Sequence, residues 1–209
     1  MPLLFDEFKI DVMLAGTQKA FALPPGLALF VCSEAALGKA EKNPNRGYYF
    51  DLLEFQKNAE KNMTPSTPSI PHINGLSSQL DVFFEEGLEN RFARHLKNHQ
   101  ALIAGVEGMG LSAFVDEAHR LPMLNPICIP EGVDDVTVRK YLLQEFNLEI
   151  GGGLGSLAGN AWRVGIMGYS SSSENVLFFL SAMSRALAVQ GVSTDLSEGV
   201  NAAMSHLGA

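Results

Sequence analysis

The sequence predicts an α/β layer followed by a compact α+β domain, and three features carry that expectation. Two continuous apolar runs, Ile10–Leu14 and Leu27–Cys32, read as strands buried on both faces, which other layers must cover. From Ile73 to Leu96, apolar residues recur at helical spacing. Beyond Gly108, three short strand-like segments alternate with two helical ones, the pattern of a small antiparallel or mixed sheet with helices packed on it.

The bulk composition is compatible with this. A chain of 209 residues with 46% apolar and 18% charged residues has the material for a sizeable core, which excludes extended disorder. A net charge of -8 argues against non-specific nucleic-acid binding, which needs a basic face. No apolar run reaches the length of a membrane span, and the first residues lack the pattern of a secretory signal. Cys32 and Cys128 lie in apolar runs without CxxC spacing and read as reduced thiols of a cytoplasmic protein.

Taken in order, Gly16-Thr17 ends the first strand and Lys19 follows it; Pro24-Pro25-Gly26 makes a rigid turn into the second strand. Ser33 is placed to cap a short helix through Lys42. Residues 43–70 read as irregular connection around Tyr48-Tyr49-Phe50, with one short helix near Leu52 to Lys61. The long helix is expected to run through Gly87 without a break, although glycine there costs about 1 kcal/mol. Strands are expected at Leu111–Val115, Pro126–Pro130 and Trp162–Met167, with helices at 134–146 and 174–190. The organisation is therefore 1–95 as part of a larger layer with its connecting helix, 96–192 as a small α+β domain, and 193–209 as a polar tail.

Three constellations could carry chemistry. A lysine at a strand end is usually a solvated surface residue, but Lys19 sits between Gly16-Thr17-Gln18 and a proline-stiffened exit. A nucleophilic lysine must be unprotonated, which an apolar or cationic setting promotes. Met63-Thr64-Pro65-Ser66-Thr67-Pro68 reads either as a loop with a helix cap or as an anion clamp, since hydroxyls and free amides gather before the long helix. Gly151-Gly152-Gly153 reads as a mobile loop, without the order of a dinucleotide fingerprint. Arg163, inside the apolar run after it, needs either an acidic partner or a carboxylate ligand. His95 and His99 lie four apart on a helix with no pattern completing a metal site, so no metal is assigned. Glu85, Glu86 and Glu89 read as a solvated helix face, and Tyr48, Tyr49 and Trp162 as core or interface aromatics.

The run from Asp11 to Ala20 with Pro24-Pro25-Gly26 resembles the cofactor-lysine segment of the class V aminotransferases, above all the alanine–glyoxylate and serine–glyoxylate enzymes. It is similar, more weakly, to the phosphoserine aminotransferases. Cysteine desulfurases usually carry His before the lysine, so Gln18 favours transamination over sulfur transfer. The resemblance implies the fold of the C-terminal portion of a pyridoxal phosphate-dependent large domain, followed by its α+β small domain. It implies that Lys19 bonds covalently to pyridoxal 5'-phosphate with Gln18 beside it. Thr67, and less directly Thr64, would bind the phosphate of a partner subunit's cofactor, and Arg163 would fork onto the substrate α-carboxylate. The expected activity is transamination between an amino acid of the serine or alanine type and a 2-oxo acid such as glyoxylate. The resemblance covers about the second half of a family member, so it implies a partial chain that works as a homodimer or with a complementing N-terminal half. The alternatives are a non-catalytic fragment or association module, and another cofactor activity of the same fold type, such as phosphoserine transamination or a lyase reaction.

Overall fold

A computed structural model describes residues 2–208, and the chain forms two compact units, Met1–Glu85 and Glu86–Ala209. In the first unit, β1 (Val12–Gly16) pairs antiparallel with β2 (Ala28–Cys32), Val12 opposite Cys32 and Gly16 opposite Ala28. Helices α1 (Glu34–Glu41), α2 (Leu52–Ala59) and α3 (Ile70–Glu86) follow. Ser33 caps α1 by accepting from the Ala36 amide, as its position suggested. Asp51 caps α2 and also takes the Nε of Arg46 on both oxygens, which holds its carboxyl below the usual range.

The expectation that β1 and β2 are buried on both faces is not met. Leu14 is 71% exposed, and Val12 and Val31 are close to half exposed. The reason is that among the described residues the two strands pair only with each other, so no further layer covers them. Tyr48, Tyr49 and Phe50 are likewise exposed.

The second unit contains α4 (Leu88–Gly108), β3 (Leu124–Cys128), α5 (Asp135–Phe146), the short β4 (Gly151–Gly152), β5 (Ala161–Gly165), α6 (Ser173–Val189) and α7 (Leu196–Leu207). Its sheet has the antiparallel order β3-β5-β4. The core joins Leu102 and Val106 of α4, Ile127, Trp162 and Val164 of the sheet, Leu142 of α5, Leu180 and Met183 of α6, and Ala203 of α7.

Four expectations change here. The long helix breaks: Gly87 adopts φ 79°, a left-handed value that glycine tolerates, so α3 ends at Glu86 and α4 starts afresh. The compact units consequently meet at residues 85 and 86 instead of near 95. The segment at Leu111–Val115 is not a strand; it contributes one bridge, Ala113 to Ile127. Residues 193–209 are not a polar tail, because Asp195 caps α7 and Leu196, Gly199, Ala203 and Leu207 fall at helical spacing on one face. That face lies on α4 where both helices are glycine: a Cβ on Gly199 would come within 2.4 Å of the Met109 Cγ and 2.8 Å of the Gly105 oxygen.

A polar seam runs along α4 beside this core. Glu86 accepts from Arg91 Nη1 at 2.7 Å and from Arg94, so it is the anchor of an arginine pair and not a solvated residue. Arg94 also donates to the carbonyls of Gly168 and Ser171. His95 shares its Nδ1 proton with the Arg91 carbonyl and accepts the Gly168 amide on Nε2. Asn98 donates to Ser171 Oγ, and His99 Nδ1 lies 2.6 Å from Asn125 Oδ1, whose amide donates to the Val164 carbonyl. Thus both histidines are buried structural groups, and His95 needs its neutral form to accept from Gly168. No helix among the described residues is long and apolar enough to cross a membrane.

Two tests follow. Gly199→Ala should lower stability by about 1–2 kcal/mol in a denaturant titration, because overpacking outweighs the gain of up to about 1 kcal/mol in helix propensity; a stabilised variant would refute the close crossing. The second concerns acid. Burial pushes His95 and His99 below their ordinary value of 6.5, and Arg94 and Arg91 hold Glu86 at about 2 instead of 4.5. All three favour the fold more at higher pH: the histidine contribution is complete above 6.5 and lost as pH falls below it, and the Glu86 contribution is complete above 4.5 and lost as pH falls towards 2. The melting temperature should therefore hold above pH 6.5 and decline in two stages on acidification. Glu86→Gln should reduce only the lower stage.

Candidate functional site

The turn that carries Lys19 is built around Thr17. Its side chain is fully buried, its hydroxyl lies within bonding distance of the carbonyls of Pro24 and Leu27, and its amide donates to Leu27. The amide of Leu23 donates back to the Thr17 carbonyl, closing residues 17–27 into a compact loop. Lys19 projects from this loop: its amide donates to Gly16, its carbonyl accepts from Ala22, and its side chain is exposed with no carboxylate paired to it among the described residues. Gln18 is exposed too, its amide folded back over Gly16, where a Cβ would lie 2.5 Å from Oε1.

Helix α3 supports the loop from below. Phe21 stacks on Phe83 with centroids 5.7 Å apart, and Leu23 lies against Gly75. His72 bridges Ser69 Oγ, at 2.8 Å, and the Pro25 carbonyl, at 3.2 Å. Gly26 has to be glycine here, because a Cβ would meet the His72 ring at 2.7 Å and its φ is 142°. His72 thus ties the start of α3 to the lysine loop, a role that a lone histidine near a helix start gives no sign of in the sequence.

Thr64 and Thr67 lie in the exposed loop immediately before α3, as their order suggested. Thr64 donates its hydroxyl proton to the Ser66 carbonyl at 2.7 Å, so it can only accept from elsewhere. The Thr67 hydroxyl has no protein partner among the described residues. No hydrogen bond joins this threonine loop directly to Lys19 among the described residues; both are fixed to α3 and its start.

Arg163 belongs to the second unit. It stands on β5 opposite Pro126 of β3 and Gly151 of β4. Its Nε donates to the Gly152 carbonyl at 2.7 Å. Among the described residues no acid pairs with it, so the ion-pair alternative finds no partner and the terminal nitrogens remain available. The triple glycine is not a loop: Gly151 and Gly152 form β4, and a Cβ on Gly153 would lie 1.9 Å from the Leu157 oxygen, so the chain doubles back there. The sequence reading missed what these glycines do for Arg163, and their shared spacing from it was the available signal.

Comparison with known proteins agrees with the motif reading. The family pattern described as aminotransferase class-V matches residues 1–176. The chain is 34% identical to the (S)-ureidoglycine–glyoxylate transaminase of Bacillus subtilis over 95% of its length and 53% of that protein. It is 33% identical to the serine–glyoxylate aminotransferase of Methylorubrum extorquens, over 99% of this chain and 53% of the relative. A crystal structure of a ureidoglycine–glyoxylate aminotransferase from Bacillus subtilis superposes with a TM-score of 0.91 at 35% identity, covering 98% of this chain and 54% of that one. The chain spans about half the length of the relatives it matches. With its lysine turn, threonine loop and arginine strand in the matched region, it belongs to the class V aminotransferases.

Proposed function

We propose that this chain takes part in pyridoxal phosphate-dependent transamination, moving an amino group from an amino acid of the serine or alanine type to a 2-oxo acid such as glyoxylate. The observation that carries the reading is the lysine turn, a compact loop presenting an amine that no acid neutralises among the described residues, within a sequence of this family. Glyoxylate enters because the names of both relatives contain it.

The residues present fit the cofactor. Lys19 is the amine that would hold its aldehyde, Gln18 flanks it, and Thr67 has a free hydroxyl of the kind a phosphate accepts from, with Thr64 a weaker candidate because its proton is committed to Ser66. When bound, pyridoxal phosphate supplies a carbonyl carbon for the amino group and a ring that accepts the electron pair released at the donor α-carbon. Once the donor's amino group takes its place on the cofactor, the released Lys19 Nζ would be the base that takes the α-proton. Arg163 holds the donor carboxylate through a charge-assisted pair of hydrogen bonds.

The relatives carry about as much chain again, and we place the complete reaction in an assembly that includes an equivalent of that portion, in the same polypeptide or another. The exposed apolar side chains of β1 and β2 support this, since a further layer of sheet would cover them. The exposed Thr64–Thr67 loop supports a two-fold partner, whose cofactor phosphate it would reach. Cys32 and Cys128 are free, which supports a reducing compartment, the cytoplasm.

Borohydride reduction of the chain mixed with pyridoxal phosphate, followed by peptide mapping, tests the assignment. The label is expected on Lys19 and should disappear from that peptide in Lys19→Ala. Labelling spread evenly over surface lysines, with and without the relatives' other half added, would contradict it.

A further inference from the structure

Arg163 is the only residue of β5 whose charge has to be aimed, and the strand beside it is made of glycine. Gly151 stands directly opposite Arg163 in the β4–β5 register, so the two share a face of the sheet. A Cβ on Gly151 would lie 3.0 Å from Arg163 Nη2 and 3.4 Å from Cζ and Nε, so the guanidinium rests flat on bare backbone. Gly152 points to the other face, where a Cβ would be 3.3 Å from Arg139 Nε and from Asp135 Oδ2. Those two side chains form a double hydrogen bond at 2.8 and 2.9 Å along α5. The short strand is thus held between two guanidinium groups, one neutralised by Asp135 and one without an acid among the described residues.

A guanidinium offers a carboxylate two paired edges, one formed by Nε with a terminal nitrogen and one formed by both terminal nitrogens. The Gly152 carbonyl occupies Nε. We infer that Gly151 and the Gly152 carbonyl are the positioning elements of Arg163: the carbonyl fixes the rotation of the guanidinium, and the absent side chain at Gly151 lets it lie where only its outer edge, Nη1 and Nη2, meets the carboxylate. This rests on the proposed role of Arg163 as the carboxylate-binding residue. Neither glycine has a left-handed φ, so the backbone itself permits alanine at both positions and any effect reads the space above them.

The test uses the full chain labelled with nitrogen-15 arginine, the Arg163 signals being assigned by their loss in Arg163→Lys. In the wild type the Arg163 Nε proton should exchange with solvent about tenfold more slowly than that of an exposed arginine, as a hydrogen bond from a charged donor requires. Gly151→Ala should abolish that protection and weaken the response of the terminal nitrogens to propionate about tenfold. Arg139→Lys, on the opposite face of β4, should keep both. Rapid exchange in the wild type, or equal effects of Gly151→Ala and Arg139→Lys, would overturn the positioning role. Protection lost in Gly151→Ala while propionate perturbs neither protein would uphold the positioning and overturn the carboxylate reading of Arg163, so the two failures are distinguishable.

Discussion

The grip of α4 on the strand that carries Arg163 is the interaction on which the second unit depends. Hydrophobic burial alone would let α4 slide on the sheet at small cost, because apolar contacts are not directional. The seam of Arg91, Arg94, His95, Asn98 and His99 removes that freedom. Arg94, His95, Asn98 and His99 each reach a particular group of Gly168, Ser171 or Asn125, and a shift by one turn would leave several buried polar atoms without partners. Asn125 carries the restraint to the Val164 carbonyl, one residue from Arg163. With β5 fixed, the register of β4 follows, and with it the bare backbone on which the guanidinium lies.

The first unit reaches a comparable result by a smaller device. Its few buried side chains include a polar one, Thr17, whose bonds fold residues 17–27 over α3. Phe21 on Phe83 and His72 on Pro25 secure the ends of the loop. Lys19 is held by its backbone, and no carboxylate is paired with its amine among the described residues. The apolar ribbon behind it is unfinished in a way that the second unit, with its continuous core, is not.

The sequence made the family more legible than the architecture. The segments that hold Lys19, Thr67 and Arg163 match one family in order, and that order could be read without knowing the fold. Local signals also worked where one residue decides the outcome, as with the cap at Ser33. They failed where the outcome depends on partners far along the chain. Gly87 looked like a tolerable defect in a periodic helix, yet its left-handed φ starts a separate α4, on which Arg94 and His95 bond to Gly168 far along the chain. The α7 segment looked polar because the middle of its buried face is Gly199 and Ala203, small residues, with Gly199 seated against Gly105 and Gly108 of α4. Glu86 looked solvated because its arginine partners are charged and close in sequence, which conceals how little water reaches the group.

We propose that Lys19 and Arg163 serve one amino-transfer reaction. It is tested most directly by supplying the chain with pyridoxal phosphate, serine or alanine, and isotopically labelled glyoxylate, alone and together with the portion of fold that its relatives carry in addition. Labelled glycine should form in the combined sample, vanish with Lys19→Ala, and require a much higher donor concentration with Arg163→Lys. A folded, combined sample that makes no glycine, or one whose glycine is indifferent to Lys19, would contradict the account.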